Sequence, residues 1–147
     1  VSEAKRVSCW TKAGGLGKKG AMDKLDRMFE LQESLNRKIG SHRDPGIPDT
    51  DKAEWILNYA RAMSQEIAEL TDSVPWKWWA RYQRFDSQNA AVELIDILHF
   101  WISACQVMGL SPDDVFTLYT QKHEVNRNRQ QKGYTRKDPS DCGHISS

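Results

Sequence analysis

Apolar residues in this chain recur at spacings of three and four and do not settle into sustained alternation, so the pattern specifies helices and no sheet. The first helix is expected from about Met22 to Lys38, with Leu25, Met28, Phe29, Leu35 and Ile39 as its stripe and Gly40 as its stop. A loop rich in breakers follows, with Pro45, Gly46 and Pro48. The second helix is expected from Asp51, where Asp51 and Glu54 have capping-box spacing, through Trp55, Tyr59, Met63, Ile67 and Leu70. Pro75 breaks the pattern, and the aromatic run Trp76, Trp78, Trp79 and Tyr82 reads as a short helical connector. The third helix, from Ser87 to Met108 with Gly109 beyond it, is apolar around most of its circumference and so belongs at the centre. A fourth opens at Ser111, Pro112 and Asp114 and runs to about Gly133. The expected fold is all-α, a bundle of about four main helices.

A chain of 147 residues fits one domain, placed at 21–137, between a basic arm at 1–20 and a loose tail at 138–147. With 21 basic against 20 acidic residues, no overall charge recruits nucleic acid or an anionic membrane. The longest apolar run, near Leu94 to Ile102, is interrupted by Asp96 and His99, and no membrane span is expected. Cys9, Cys105 and Cys142 have neither disulfide-framework nor zinc spacing, which favours a reducing, cytoplasmic setting. "GGLGKKG" fails as a phosphate loop, because Lys12 and Lys19 stand where that motif needs Gly and Ser or Thr.

Two stretches put acids where a core is expected. "EIAEL" carries Glu66 and Glu69, and "ELIDILHF" carries Glu93 and Asp96. Residues three apart share a helix face, so each pair forms a two-carboxylate claw. If the second and third helices pack antiparallel, the claws face each other, and four like charges can converge only around divalent cations. All-oxygen ligation selects hard ions such as Mg²⁺ or Mn²⁺. For Glu66 and Glu69 a solvated helix face competes with that reading; inside "VELIDILHFWI" the competition is weaker. His99 reads as a packed core histidine.

Two other helices carry polar residues on their apolar stripes. Gln32 and Asn36 continue the first helix's inward face and could read the edge of a base. Lys122, Asn126 and Arg129 continue the stripe of the fourth helix and make an anion clamp, with a helix end emerging into water as the competing reading for each set.

"LQESLN", "EIAEL", "WKWW", "ELIDILHF" and "YTQKHEVNRNRQQKGY" together resemble, in order, the five motifs of the dimeric all-α dUTPase family, within the larger all-α NTP pyrophosphatase group that includes MazG-type enzymes. The resemblance covers about Lys24 to Tyr134. It implies that Glu66, Glu69, Glu93 and Asp96 hold two or more Mg²⁺ ions, with Mn²⁺ as a substitute, and do the catalytic work, Glu66 or Glu69 taking a proton from water. It further implies that Gln32 and Asn36 face uracil, that Lys122, Asn126, Arg129 and Tyr134 hold the phosphates, and that Trp76, Lys77 and Trp79 line or brace the pocket. The expected activity is hydrolysis of dUTP, and of dUDP, to dUMP by a homodimer. The rivals are a related pyrophosphohydrolase acting on dCTP or a damaged nucleotide, and a non-catalytic helical dimerisation module.

Overall fold

The computed structural model of the chain describes residues 23–40, 49–133 and 139–145. The basic arm, most of the loop after Gly40, and Tyr134 lie outside the described residues. Four helices make up the fold: α1 (Lys24–Ile39), α2 (Asp49–Asp72), α3 (Ser87–Val107) and α4 (Pro112–Gln131), followed by a short 3-10 turn at Pro139–Cys142. No strand occurs among the described residues, and the all-α expectation stands.

Local chemistry sets most of the ends. Asp23 and Asp26 form a reciprocal capping box at the start of α1, and Gly40 ends it at φ 72°, a left-handed conformation open to glycine. Ser111 and Asp114 do the same for α4, with Pro112 at the first position, where its missing N–H costs nothing. The Ser111 hydroxyl, and then its backbone N–H, hold the Asp114 carboxyl below its ordinary range. Two expectations fail. Helix α2 begins at Asp49, so Asp51 and Glu54 lie inside the helix despite their capping-box spacing. The connector at 73–86 contains turns and bends with no helix, since Pro75 withholds an N–H and the backbone bonds run locally, Trp76 N to Val74 O and Ala80 N to Lys77 O.

Helices α2 and α3 pack antiparallel. Asn89 reaches Ser73, Glu93 reaches Glu66 and Phe100 meets Tyr59, so residue numbers fall along α2 as they rise along α3. Helix α1 packs against α3, and α4 packs on α1 and the C-terminal turn. The core on that side centres on Phe29, Ile102 and Cys105, with Leu25, Leu98, Leu110 and Val115 against it. Burial also pushes the Cys105 thiol up to about 11, which leaves it a packing residue. By length and composition α3 could cross a membrane, contrary to the reading of its interrupted apolar run. Ser103 and Gln106 bond to amides on α1, but the expectation that α3 has neighbours all around it is corrected, because Val92, Leu94, Ile95, Trp101 and Met108 are exposed.

The inward face of α1 differs from its expected stripe. Phe29, Gln32 and Asn36 are buried, whereas Met28, Leu31, Leu35 and Ile39 are exposed. Ile67 on α2 is exposed as well. On α3, Leu94, Trp101 and Met108 recur every seven residues on an open face, and the connector adds Trp76, Trp78, Trp79, Tyr82 and Phe85. Large apolar side chains exposed along one helix face are the kind of surface that proteins bury against a partner.

Candidate active site

The antiparallel pairing brings the two acid claws together. Carboxylate oxygens of Glu66, Glu69 and Glu93 all lie within 4.8 Å of one another. Glu93 is buried, Glu66 partly so, and Glu69 is exposed. The Glu66 carboxyl is raised above its ordinary value, first by lost hydration, then by the Glu69 charge, a hydrogen bond shared with Glu93, and the charges of Asp96 and Glu93. Asp96, the fourth acid expected here, lies outside this set of three and acts on Glu66 through its charge.

The cluster's second layer was not visible as a motif. Asn89, one turn before Glu93, donates from Nδ2 to Glu93 Oε1 at 3.0 Å and to the Ser73 hydroxyl at 2.8 Å. Ser73 is buried and its hydroxyl donates to the Glu69 carbonyl at 3.1 Å, so one small network ties the end of α2 to the acid on α3. Gln65 Nε2 donates to Glu69 Oε1 at 3.0 Å. The i−4 spacing of Asn89 from Glu93 was the available signal, but Ser73 as the link could come only from the fold.

A divalent ion fits this donor set. Two oxygens on one Mg²⁺, each at about 2.1 Å, are at most about 4.2 Å apart. Three oxygens on one octahedral ion include at least two neighbouring pairs, about 3.0 Å apart, so carboxylates within 4.8 Å of one another would draw together around it, and the neighbouring charges that raise Glu66 after lost hydration would be relieved. The donors are all oxygen, which suits a hard ion and not zinc.

The amides Gln32 and Asn36 are buried at the α1–α3 contact and spend their donors there. Gln32 Nε2 donates to Asn36 Oδ1 at 3.0 Å and to Ser103 Oγ at 2.9 Å; Asn36 Nδ2 donates to Ser103 Oγ at 3.0 Å and Gln106 Oε1 at 3.1 Å. His99 Nδ1 meets Gln32 Oε1 at 2.5 Å. The expectation of a core histidine is therefore corrected: His99 is exposed, because it stands at the edge of the α1–α3 seam with one nitrogen on the amide network. Ser103 and Gln106 escaped the sequence reading because α3 looked apolar all round; their spacing of four and seven from His99 was the signal.

Lys122 and Arg129 converge, as the clamp requires, but on Cys142: its sulfur lies 2.9 Å from Lys122 Nζ and 3.8 Å from Arg129 Nη2. The Lys122 hydrogen bond chiefly, with the charges of both cations, lowers the Cys142 thiol's pKa. Asn126 is exposed on the same helix. The clamp is built on α4, while the acids are built on α2 and α3. On the connector, Trp76 donates from Nε1 to Asp72 Oδ1 at 2.9 Å, Lys77 Nζ sits 5.3 Å from the Trp76 ring centre, and Trp79 meets both Trp76 and Trp78 edge-on. These side chains form an aromatic ladder just beyond the end of α2.

A family model described as dUTPase matches residues 24–105, the segment that holds both acid claws and the amides Gln32 and Asn36. The chain belongs to this dUTPase family. Two curated relatives are dCTP pyrophosphatases. That of Enterobacteria phage T4 is 27% identical over 142 residues, covering 76% of this chain and 83% of the relative. That of Enterobacteria phage LZ5 is 28% identical over 137 residues, covering 75% and 80%. No solved structure matches. Family and relatives agree on a nucleotide pyrophosphatase and differ in the base they name.

Proposed function

We propose that the chain is a Mg²⁺-dependent dUTP diphosphatase that hydrolyses dUTP to dUMP and pyrophosphate, and dUDP to dUMP and phosphate. The observation that carries this reading is the three-carboxylate cluster of Glu66, Glu69 and Glu93 inside the segment matched to the dUTPase family. Glu66, Glu69, Glu93 and Asp96 would hold two or more ions, with Mn²⁺ as a substitute. Bound Mg²⁺ would neutralise phosphate oxygens and lower the pKa of the attacking water. Glu66 or Glu69 would accept the proton that the water loses. Asn89 keeps Glu93 turned into the cluster. Lys122, Asn126, Arg129 and Tyr134 grip the phosphates and stabilise charge on the leaving group. Uracil lies against the α1–α3 network that contains Gln32 and Asn36, with Trp76, Lys77 and Trp79 bracing the pocket. Product analysis tests this directly: dUTP should yield dUMP and pyrophosphate in equal amounts, and formation of dUDP with free phosphate contradicts the reading.

A second reading rests on the two curated relatives: with the same metal chemistry, dCTP would be the preferred substrate.

Arg129→Ala should weaken binding of a non-hydrolysable dUTP analogue by about 1.5–3 kcal/mol, the worth of a charge-assisted hydrogen bond, and weaken dUMP binding much less. Calorimetric titration of both ligands decides it, and equal losses would place Arg129 away from the distal phosphates.

The open apolar face supports a homodimer. Light scattering should return twice the chain mass, and Leu94→Glu combined with Trp101→Glu should halve it by placing charge on the heptad-spaced stripe of α3. An unchanged mass for the double variant would place the interface elsewhere.

A further inference from the structure

The amides at the α1–α3 seam form a hydrogen-bond relay whose direction is fixed at one end. Gln106 Nε2 faces the backbone carbonyl of Phe29 at 2.8 Å, and a carbonyl can only accept. Gln106 must therefore present its oxygen to Asn36, at 3.1 Å, and Asn36 must present its NH₂. Asn36 Oδ1 is then left to accept from Gln32 Nε2 at 3.0 Å, which turns Gln32 Oε1 toward His99 Nδ1. An acceptor there requires a donor, so the proton of the neutral imidazole resides on Nδ1. Ser103 supports the same polarity: its oxygen accepts from both Gln32 Nε2 and Asn36 Nδ2, and its proton goes to the His99 carbonyl at 3.0 Å.

The consequence appears at the far side of the ring. With Nδ1 protonated, Nε2 carries a bare lone pair, and His99 is exposed. His99 follows Asp96 by three residues, on the same side of α3 and about 4.5 Å further along its axis. A nucleotide whose phosphates sit at the acid cluster can thus bring its base toward this ring. We propose that Gln106 is a positioning residue for substrate selection: by fixing the direction of the relay, it makes His99 Nε2 an acceptor for the N3–H of the substrate's uracil. The proposal rests on the dUTP diphosphatase reading. Cytosine has a lone pair at N3, so the same histidine would face it acceptor to acceptor and leave both groups unpaired.

Tautomer and selectivity test the proposal separately. Long-range nitrogen–proton NMR of histidine-labelled protein, at alkaline pH where imidazoles are neutral, reads the tautomer, with the His99 signals assigned by their loss in His99→Phe. The wild type should show His99 protonated at Nδ1; an Nε2-protonated ring would overturn the relay without any variant. In Gln106→Met, which has the length of glutamine without its amide, Nε2–H should appear and the preference for dUTP over dCTP in kcat/KM should fall by about tenfold or more. Both readouts, tautomer and preference, are compared with the wild type. A Met variant that keeps both would show that Gln106 sets neither. Wild-type protein that hydrolyses neither nucleotide would overturn the diphosphatase reading and the uracil role with it, while the tautomer still decides the relay.

Discussion

Replacing Glu93 by glutamine is expected to lower pyrophosphate release by about a hundred- to a thousandfold, the scale seen when one preorganised electrostatic group is removed from an active site. Glu93 is the buried member of the acid cluster, and one of its carboxylate oxygens lies within 4.8 Å of an oxygen of Glu66 and one of Glu69. A neutral amide keeps the shape and can still accept from Asn89, but it contributes no charge toward a divalent ion. The fold should survive. Without metal, the variant should melt at the same temperature as the wild type or higher, because the charges now crowding Glu66 are fewer and the introduced amide can donate to it. Asp96→Asn should behave alike. Circular dichroism melts beside the activity assay separate this outcome from simple unfolding, and near-normal turnover at saturating Mg²⁺ in either variant would remove these residues from the metal site.

The second large effect concerns the base. Wild-type protein should prefer dUTP over dCTP by at least about a hundredfold in kcat/KM, since a site built from fixed amides strands a buried polar group when the wrong base enters. The network that would impose this is already rigid: Gln32, Asn36 and Ser103 are buried and bonded to one another. Gln32→Ala and Asn36→Ala should narrow the ratio while Mg²⁺ affinity, read by calorimetry without nucleotide, changes little. A reversed preference would favour the base named for the phage relatives and would leave the acid chemistry untouched.

Which of these features could be read from the chain depended on how local their causes were. Gly40, Gly109 and the Ser111–Asp114 box act within a few residues, and each marks a helix end in the structure. The meeting of Glu66 and Glu69 with Glu93 was legible because two spacings of three and one antiparallel pairing suffice to produce it. Asp51 and Glu54 mimic a cap by spacing alone, and nothing local reveals that the helix has already begun at Asp49. The stripe Met28, Leu35 and Ile39 misled because apolar residues can face an interface outside the single chain, whereas the amides Gln32 and Asn36 take the inward positions by finding partners on α3. Those partners lie about seventy residues away in sequence. So does the His99 contact with Gln32, and the Cys142 contact with Lys122 is likewise distant in the chain. Spacing rules reach one helix turn; packing decides the rest.

The central claim, a metal-dependent nucleotide pyrophosphatase built on the α2–α3 acid cluster, is tested most directly by pyrophosphate release across a panel of deoxy- and ribonucleoside triphosphates, each with millimolar Mg²⁺ and with chelator. Release from dUTP that requires Mg²⁺ and exceeds release from every other nucleotide in the panel is the predicted result. Release that persists in chelator, or none from any nucleotide, would contradict it.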